Sequence, residues 1–124
     1  MTSEQNCVFC KIVRGEEPAE IVWEWPETIA FLPLKGVTLG HTLIVPKAHV
    51  KDFAADPLVS GVTMARASEL TFGQGDANII TSMGVAATQS VFHLHLHLIP
   101  RTENDGLALP WYSGKHRKRK EETT

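Results

Sequence analysis

Along the chain the apolar positions switch between two periods, and each switch marks an element. Val8, Phe9, Ile12 and Val13 recur at the three-to-four spacing of a helix face, and Gly15 follows as a C-cap, so a short helix is predicted at the start. Ile21-Val22-Trp23-Glu24-Trp25 and Thr28-Ile29-Ala30-Phe31-Leu32 are runs of strand-forming residues, and Pro26-Glu27 between them predicts a hairpin. Residues 36–40 read as loop. His41 to Val45 reads as a strand stopped by Pro46, which has no N–H to give a central ladder. Asp56 and Pro57 form an N-cap and first-turn pair. Leu58, Val62, Ala65, Glu69 and Phe72 then recur at spacings of three to four, predicting an amphipathic helix that ends near Gly73 or Gly75. Asn78 to Thr81 and Ser90 to Ile99 supply two more strands across a loop containing Gly84. About five strands and two helices with hairpin-length connections predict an α+β domain on an antiparallel sheet.

The last predicted strand has an unusual pattern. In Phe92-His93-Leu94-His95-Leu96-His97-Leu98-Ile99, histidine and leucine alternate, and a strand sends successive side chains to opposite faces. The leucines enter the core and the imidazoles of His93, His95 and His97 line the other face. Three imidazoles in register are costly to desolvate, so they point to chemistry. Neutral imidazole is both a metal ligand and a nucleophile at pH 7, which leaves two readings. In one, the histidines hold a catalytic metal, although such sites usually recruit carboxylates and only Asp76 lies between Glu69 and Glu103. In the other, an imidazole attacks an electrophilic phosphorus while neighbouring donors hold the phosphate oxygens. Gln89 and Ser90, immediately upstream with a small-residue loop, suit that grip.

Composition narrows the picture. A chain of 124 residues that is 43% apolar is one domain, predicted over residues 1–112, with enough material for a core. Twelve basic residues against 14 acidic, net −2, exclude the single-sign field of a nucleic-acid or membrane-surface binder. With no leader-like N-terminus and no long apolar run, a cytoplasmic location is expected. Residues 113–124, basic and without an apolar residue, predict a disordered tail. Cys7 and Cys10 are too few for a disulfide framework; their spacing is that of a metal or redox pair.

Gln89-Ser90-Val91-Phe92-His93-Leu94-His95-Leu96-His97-Leu98-Ile99-Pro100-Arg101 resembles the signature of the histidine triad (HIT) superfamily. Cys7-Val8-Phe9-Cys10-Lys11-Ile12-Val13, Gly40-His41-Thr42-Leu43-Ile44-Val45-Pro46-Lys47-Ala48-His49, and Gly84 ahead of Gln89 resemble its Hint-like bacterial branch in the same order. The resemblance implies a hydrolase of nucleoside phosphoramidates or dinucleoside polyphosphates, acting through a nucleotidyl-histidine intermediate. His95 takes the position of the nucleophile, His97, Gln89, Ser90 and Ser82 the positions around the phosphate, and His41 that of an upstream orienting histidine. The implied nucleoside pocket is Val8, Phe9, Ile12, Phe31 and Leu34. Cys7, Cys10, His49 and His93 match the ligands of a structural zinc site in zinc-bearing relatives. A homodimer with joined sheets is implied, the helix from Asp56 to Phe72 being a candidate interface element, with a small-molecule nucleotide as partner and neither membrane nor specific nucleic acid. The alternatives are a nucleotide-binding regulatory or scaffold protein with little catalysis, and a catalytic metallohydrolase. The chain departs from the family pattern at Pro33, where an aspartate commonly meets the ribose, at Ser82 in place of asparagine, and at Thr88, where a glycine normally precedes the glutamine.

Overall fold

The computed structural model describes residues 4–115. Its elements are α1 (Val8–Val13), β1 (Ile21–Glu24), β2 (Thr28–Phe31), β3 (Thr42–Pro46), α2 (Pro57–Thr71), β4 (Ala77–Ile80), a 3-10 turn (Val85–Ala87) and β5 (Leu96–Pro100). The strands form one antiparallel sheet in the order β1-β2-β3-β5-β4. The expected architecture is therefore present, with the β1–β2 hairpin closed by the Trp25 N–H donating to the Thr28 carbonyl.

The sheet carries a different layer on each face. On one, Ile29, Phe31, Leu43 and Val45 pack with Cys7, Phe9 and Cys10 of the N-terminal helix region. On the other, Ala30, Ile44, Leu94, Leu96 and Leu98 pack with Ala67 of α2. Register sets the functional face: Ile21, Phe31, Leu43, His97 and Ile80 form one row across all five strands. At about 4.8 Å per strand, Phe31 stands roughly 10 Å from His97 along that row. α1 has six residues, too few to be stable alone, so it depends on packing and on whatever its cysteines bind.

Two expectations are corrected. The helix over 57–71 does not bury the stripe Leu58, Val62, Ala65, Glu69, Phe72; Leu58 and Phe72 are exposed, and the buried residues are Thr63 and Ala67. Thr63 is tolerated there because its hydroxyl donates to the Val59 carbonyl, and Ala67 has no bulk to hold the helix off the sheet. The strand expected over 90–99 is regular only from Leu96. Before it, the Leu94 N–H donates to Val50 in the loop after β3, so residues 91–93 bend away from the ladder; the leucine–histidine alternation of burial holds from Leu94 onward, whereas His93, expected on the same face as His95 and His97, is fully buried. At the C-terminal end, the Gly106 N–H donates to the Gly114 carbonyl, and a Cβ at Gly114 would meet Gly106 backbone at 2.5 Å, so the chain is packed as far as Gly114. Most of the tail expected over 113–124 lies outside the described residues.

Candidate functional site

Seven chemistry-bearing side chains, Cys7, Cys10, His41, His49, His93, His95 and His97, gather around Phe9 where α1 meets the residues flanking β3 and the approach to β5. Cys7 opens α1 as its N-cap, its sulfur accepting from the Cys10 N–H, which turns both thiols to one side. Cys7, Cys10, His49 and His93 place their ligand atoms within 4.8 Å of one another. His93 Nδ1 is 3.4 Å from Cys7 Sγ and 3.5 Å from Cys10 Sγ, and His49 Nδ1 is 3.2 Å from Cys10 Sγ. A tetrahedral ion with sulfur at about 2.3 Å and nitrogen at about 2.0–2.1 Å leaves its ligand atoms roughly 3.3–3.8 Å apart, so the cluster has the dimensions of a metal site. Its tautomer agrees: His93 Nε2–H donates to the Pro46 carbonyl at 2.8 Å, leaving the Nδ1 lone pair toward the sulfurs. Burial and the adjacent Cys7 thiol push Cys10 up to about 12. Such a thiol becomes a thiolate beside a cation, which inverts that balance.

The second group is His41, His95 and His97. His95 Nδ1 lies 2.8 Å from the His93 carbonyl, an acceptor-only group, so Nδ1 carries the hydrogen and Nε2 keeps a free lone pair. On the opposite side, the Val37 N–H donates to His41 Nδ1 at 3.0 Å, which puts the His41 hydrogen on Nε2. That Nε2–H meets His97 Nδ1 at 3.0 Å, and the His97 hydrogen is then on Nε2. Burial lowers His95 and His41 below the ordinary imidazole range, and burial with the neighbouring His95 and His41 holds His97 down to about 4. All three are neutral at pH 7. A free lone pair on one ring and an N–H on the next, with centroids 5.0 Å apart, is a nucleophile beside a hydrogen-bond donor.

Phe9 connects these groups to a cleft. Its ring packs edge-on against His95 at 5.1 Å, His93 at 5.8 Å and Phe31 at 5.6 Å. The cleft has a volume of about 570 Å³, and Val8, Phe9, Ile12, Phe31 and Leu34, all expected in a nucleoside pocket, line it together with Leu43, Glu17 and Glu20. That size is typical of a small-molecule site. Leu34 stands at its mouth, fully exposed.

Gln89 is placed otherwise than a phosphate donor would be. Its amide hydrogens go to the Lys51 and Val91 carbonyls and its oxygen accepts from the Gly84 N–H, so it buckles the loop ahead of the histidines. Ser90 is exposed beside it, and Ser82 is half-buried between β4 and the 3-10 turn. Two groups escaped sequence reasoning. Thr81 donates its hydroxyl to the His95 carbonyl at 2.8 Å, and the Val37 N–H acts through the main chain, which no residue type signals.

Comparison with known proteins bears on these sites. A family model described as HIT domain matches residues 14–104. "Protein hit" of Bacillus subtilis is 37% identical over 119 residues, covering 90% of this chain and 82% of its own. An adenosine 5'-monophosphoramidase of Candida albicans is 34% identical over 123 residues, covering 90% of this chain and 81% of its own. The crystal structure of a HIT family protein from Bacillus anthracis is similar with a TM-score of 0.73 at 37% identity, covering 98% of this chain and 89% of that one.

Proposed function

The chain belongs to the HIT domain family, and on that premise we propose that it hydrolyses a nucleotidyl phosphoramidate or phosphoanhydride through His95. The observation that carries this reading is the pair of opposed tautomers: a lone pair on His95 Nε2 next to an N–H on His97 Nε2, beside a nucleoside-sized apolar cleft. A base would lie against Phe9 and Phe31, with Glu17 and Glu20 bringing carboxylates that suit ribose hydroxyls.

In the first step His95 Nε2 bonds to the α-phosphorus as the bond to the amine or phosphate leaving group breaks, and the leaving group takes up a proton. The ring becomes positively charged, and its Nδ1–H donates more strongly to the His93 carbonyl. His97 Nε2–H stabilises charge on the phosphoryl oxygens. Water then bonds to phosphorus as the P–Nε2 bond breaks, the electron pair returns to Nε2 to restore the neutral ring, and the proton shed by the water balances the one taken up by the leaving group. We assign Cys7, Cys10, His49 and His93 to zinc, since a closed set of two thiols and two imidazoles at these spacings is a structural site with no open position. Zinc there supplies folding energy and anchors the backbone that carries the His93 carbonyl. The exposed apolar residues Leu58, Val62, Met64 and Phe72 of the α2 region support a homodimer, to be read by analytical ultracentrifugation.

The test is trapping with an adenosine phosphoramidate. A phosphorus adduct on His95 in the native protein, and neither adduct nor turnover in His95→Ala, is the expected result; turnover retained by that variant ends the mechanism.

A further inference from the structure

A hydrogen bond between two neutral imidazoles has no intrinsic direction. Whichever ring donates, one bond is made and one hydrogen remains on each ring. His41 and His97 are such a pair, 3.0 Å apart, and the two directions give His97 opposite properties. If His41 donates, His97 keeps Nε2–H on the far side of its ring. If His97 donates from Nδ1, its Nε2 is a lone pair that would repel a phosphoryl oxygen. Something outside the pair must choose.

The structure supplies a donor-only group at one end. The Val37 N–H points at His41 Nδ1 at 3.0 Å and can be satisfied only by a lone pair there. The segment is seated on the same ring from several sides. The His41 N–H donates to the Thr38 carbonyl, and a Cβ at Gly36 would lie 3.2 Å from His41 Cβ and 3.7 Å from its Cγ, so any side chain there would press on His41. Three residues before Val37, Leu34 lines the cleft, so the loop that contacts the cleft also contacts the relay.

We propose that the main-chain N–H of Val37 is a positioning group that fixes the direction of the His41–His97 relay, so that loop 33–40 decides whether His97 presents a donor or an acceptor to the substrate. The effect on turnover rests on the hydrolase reading above; the effect on tautomers does not. The loop acts on His97 through His41, with no contact to substrate required of Val37 itself. The other two imidazoles on this strand are fixed by main-chain acceptors, His93 by Pro46 and His95 by His93. His97 alone depends on a second side chain, so its direction is the one that a loop can change.

The experiment replaces Val37 by its α-hydroxy acid, which exchanges the N–H for an ester oxygen without a proline ring, and alongside it uses Val37→Pro and Val37→Ala. Long-range proton–nitrogen correlation spectra of the histidine rings read the tautomers directly. In the native protein and in Val37→Ala, His41 and His97 are both expected as Nε2–H. In the ester and in Val37→Pro, Nδ1–H signals appear on both rings, and kcat for an adenosine phosphoramidate falls at least about tenfold while KM changes less than about twofold. An ester protein that keeps Nε2–H on His97 overturns the proposal, whatever its rate. A tautomer change in a protein that turns over no nucleotidyl substrate in any form leaves the relay standing and removes the hydrolase reading. Should Val37→Pro fail to fold, the ester protein, whose chain geometry is nearly unchanged, decides alone.

Discussion

Five imidazoles stand within two neighbouring clusters, and the clusters use the same side chain for opposite ends. In the Cys7–Cys10–His49–His93 cluster the ring nitrogens turn inward on a common point, and every ligand atom is committed. In the His41–His95–His97 cluster one nitrogen of each of His95 and His97 is left for something that arrives. The imidazoles themselves do not make this difference. His93 and His95 each give a hydrogen to a main-chain carbonyl and keep a lone pair on the other nitrogen, but at His93 that lone pair faces the Cys7 and Cys10 sulfurs, whereas at His95 it stays free beside the His97 ring. One cluster is closed on itself; the other is open.

The largest effect should come from deleting the open cluster's nucleophile. His95→Ala is expected to lower kcat by at least about 10⁴-fold while metal content stays within error, because the lost ring meets only the His93 carbonyl and none of the cluster's ligand atoms. Equal losses in both readouts would show the two clusters to be one. Deleting a ligand of the closed cluster should reverse the pattern. Cys10→Ala, or prolonged chelation, is expected to remove close to one zinc per chain, measured by elemental analysis, and to cost several kcal/mol of stability, on the order expected for a structural site. Activity then follows the unfolding curve and is not lost at once.

A smaller effect separates the donor from the nucleophile. His97→Ala should cost about 10²–10³ in kcat, with adduct still formed at His95. The same residue gives a pH signature. Its folded form resists protonation down to about 4, whereas the unfolded chain takes the proton near 6.5. The unfolded state therefore binds more protons between those values, so stability falls as pH drops from about 6.5 toward 4 and this contribution is flat above. Urea midpoints across that window, native against His97→Gln, should converge in the variant. The smallest effect lies in the loop ahead of both clusters. Thr88 sits at φ 73, a left-handed conformation that costs an L-residue about 1–2 kcal/mol. Thr88→Gly is expected to raise stability by about 1 kcal/mol in urea denaturation, with neither cluster affected.

That last position shows how much could be read without coordinates. The pattern of family residues marks a glycine at 88, and the backbone angle gives the physical reason for it; the angle itself is invisible in the letters. The leucine–histidine alternation and the cysteine spacing were legible because each reports a period or a contact that residue types impose. The cleft residues came from the family resemblance alone, since periodicity reads Phe9, Ile12 and Phe31 as ordinary core, where Phe9 and Phe31 also stand. What escaped was whatever runs through the main chain: the Val37 N–H, the carbonyls of Pro46 and His93, and the capture of Gln89 by the Lys51 carbonyl. The α2 stripe was misplaced for a related reason. Thr63 hides its hydroxyl on a helix carbonyl and so behaves as a core residue, which hydropathy alone does not reveal.

Residue 93 belongs to both clusters at once, the ring to the ligand set and the carbonyl to His95. For protein engineering, on the reading proposed above, this makes the cysteine–histidine cluster a mounting bracket for the His95 ring. Transplanting the nucleophile to another scaffold means carrying the bracket with it, and replacing the bracket by apolar packing succeeds only if the new core holds that one peptide plane at the same tilt.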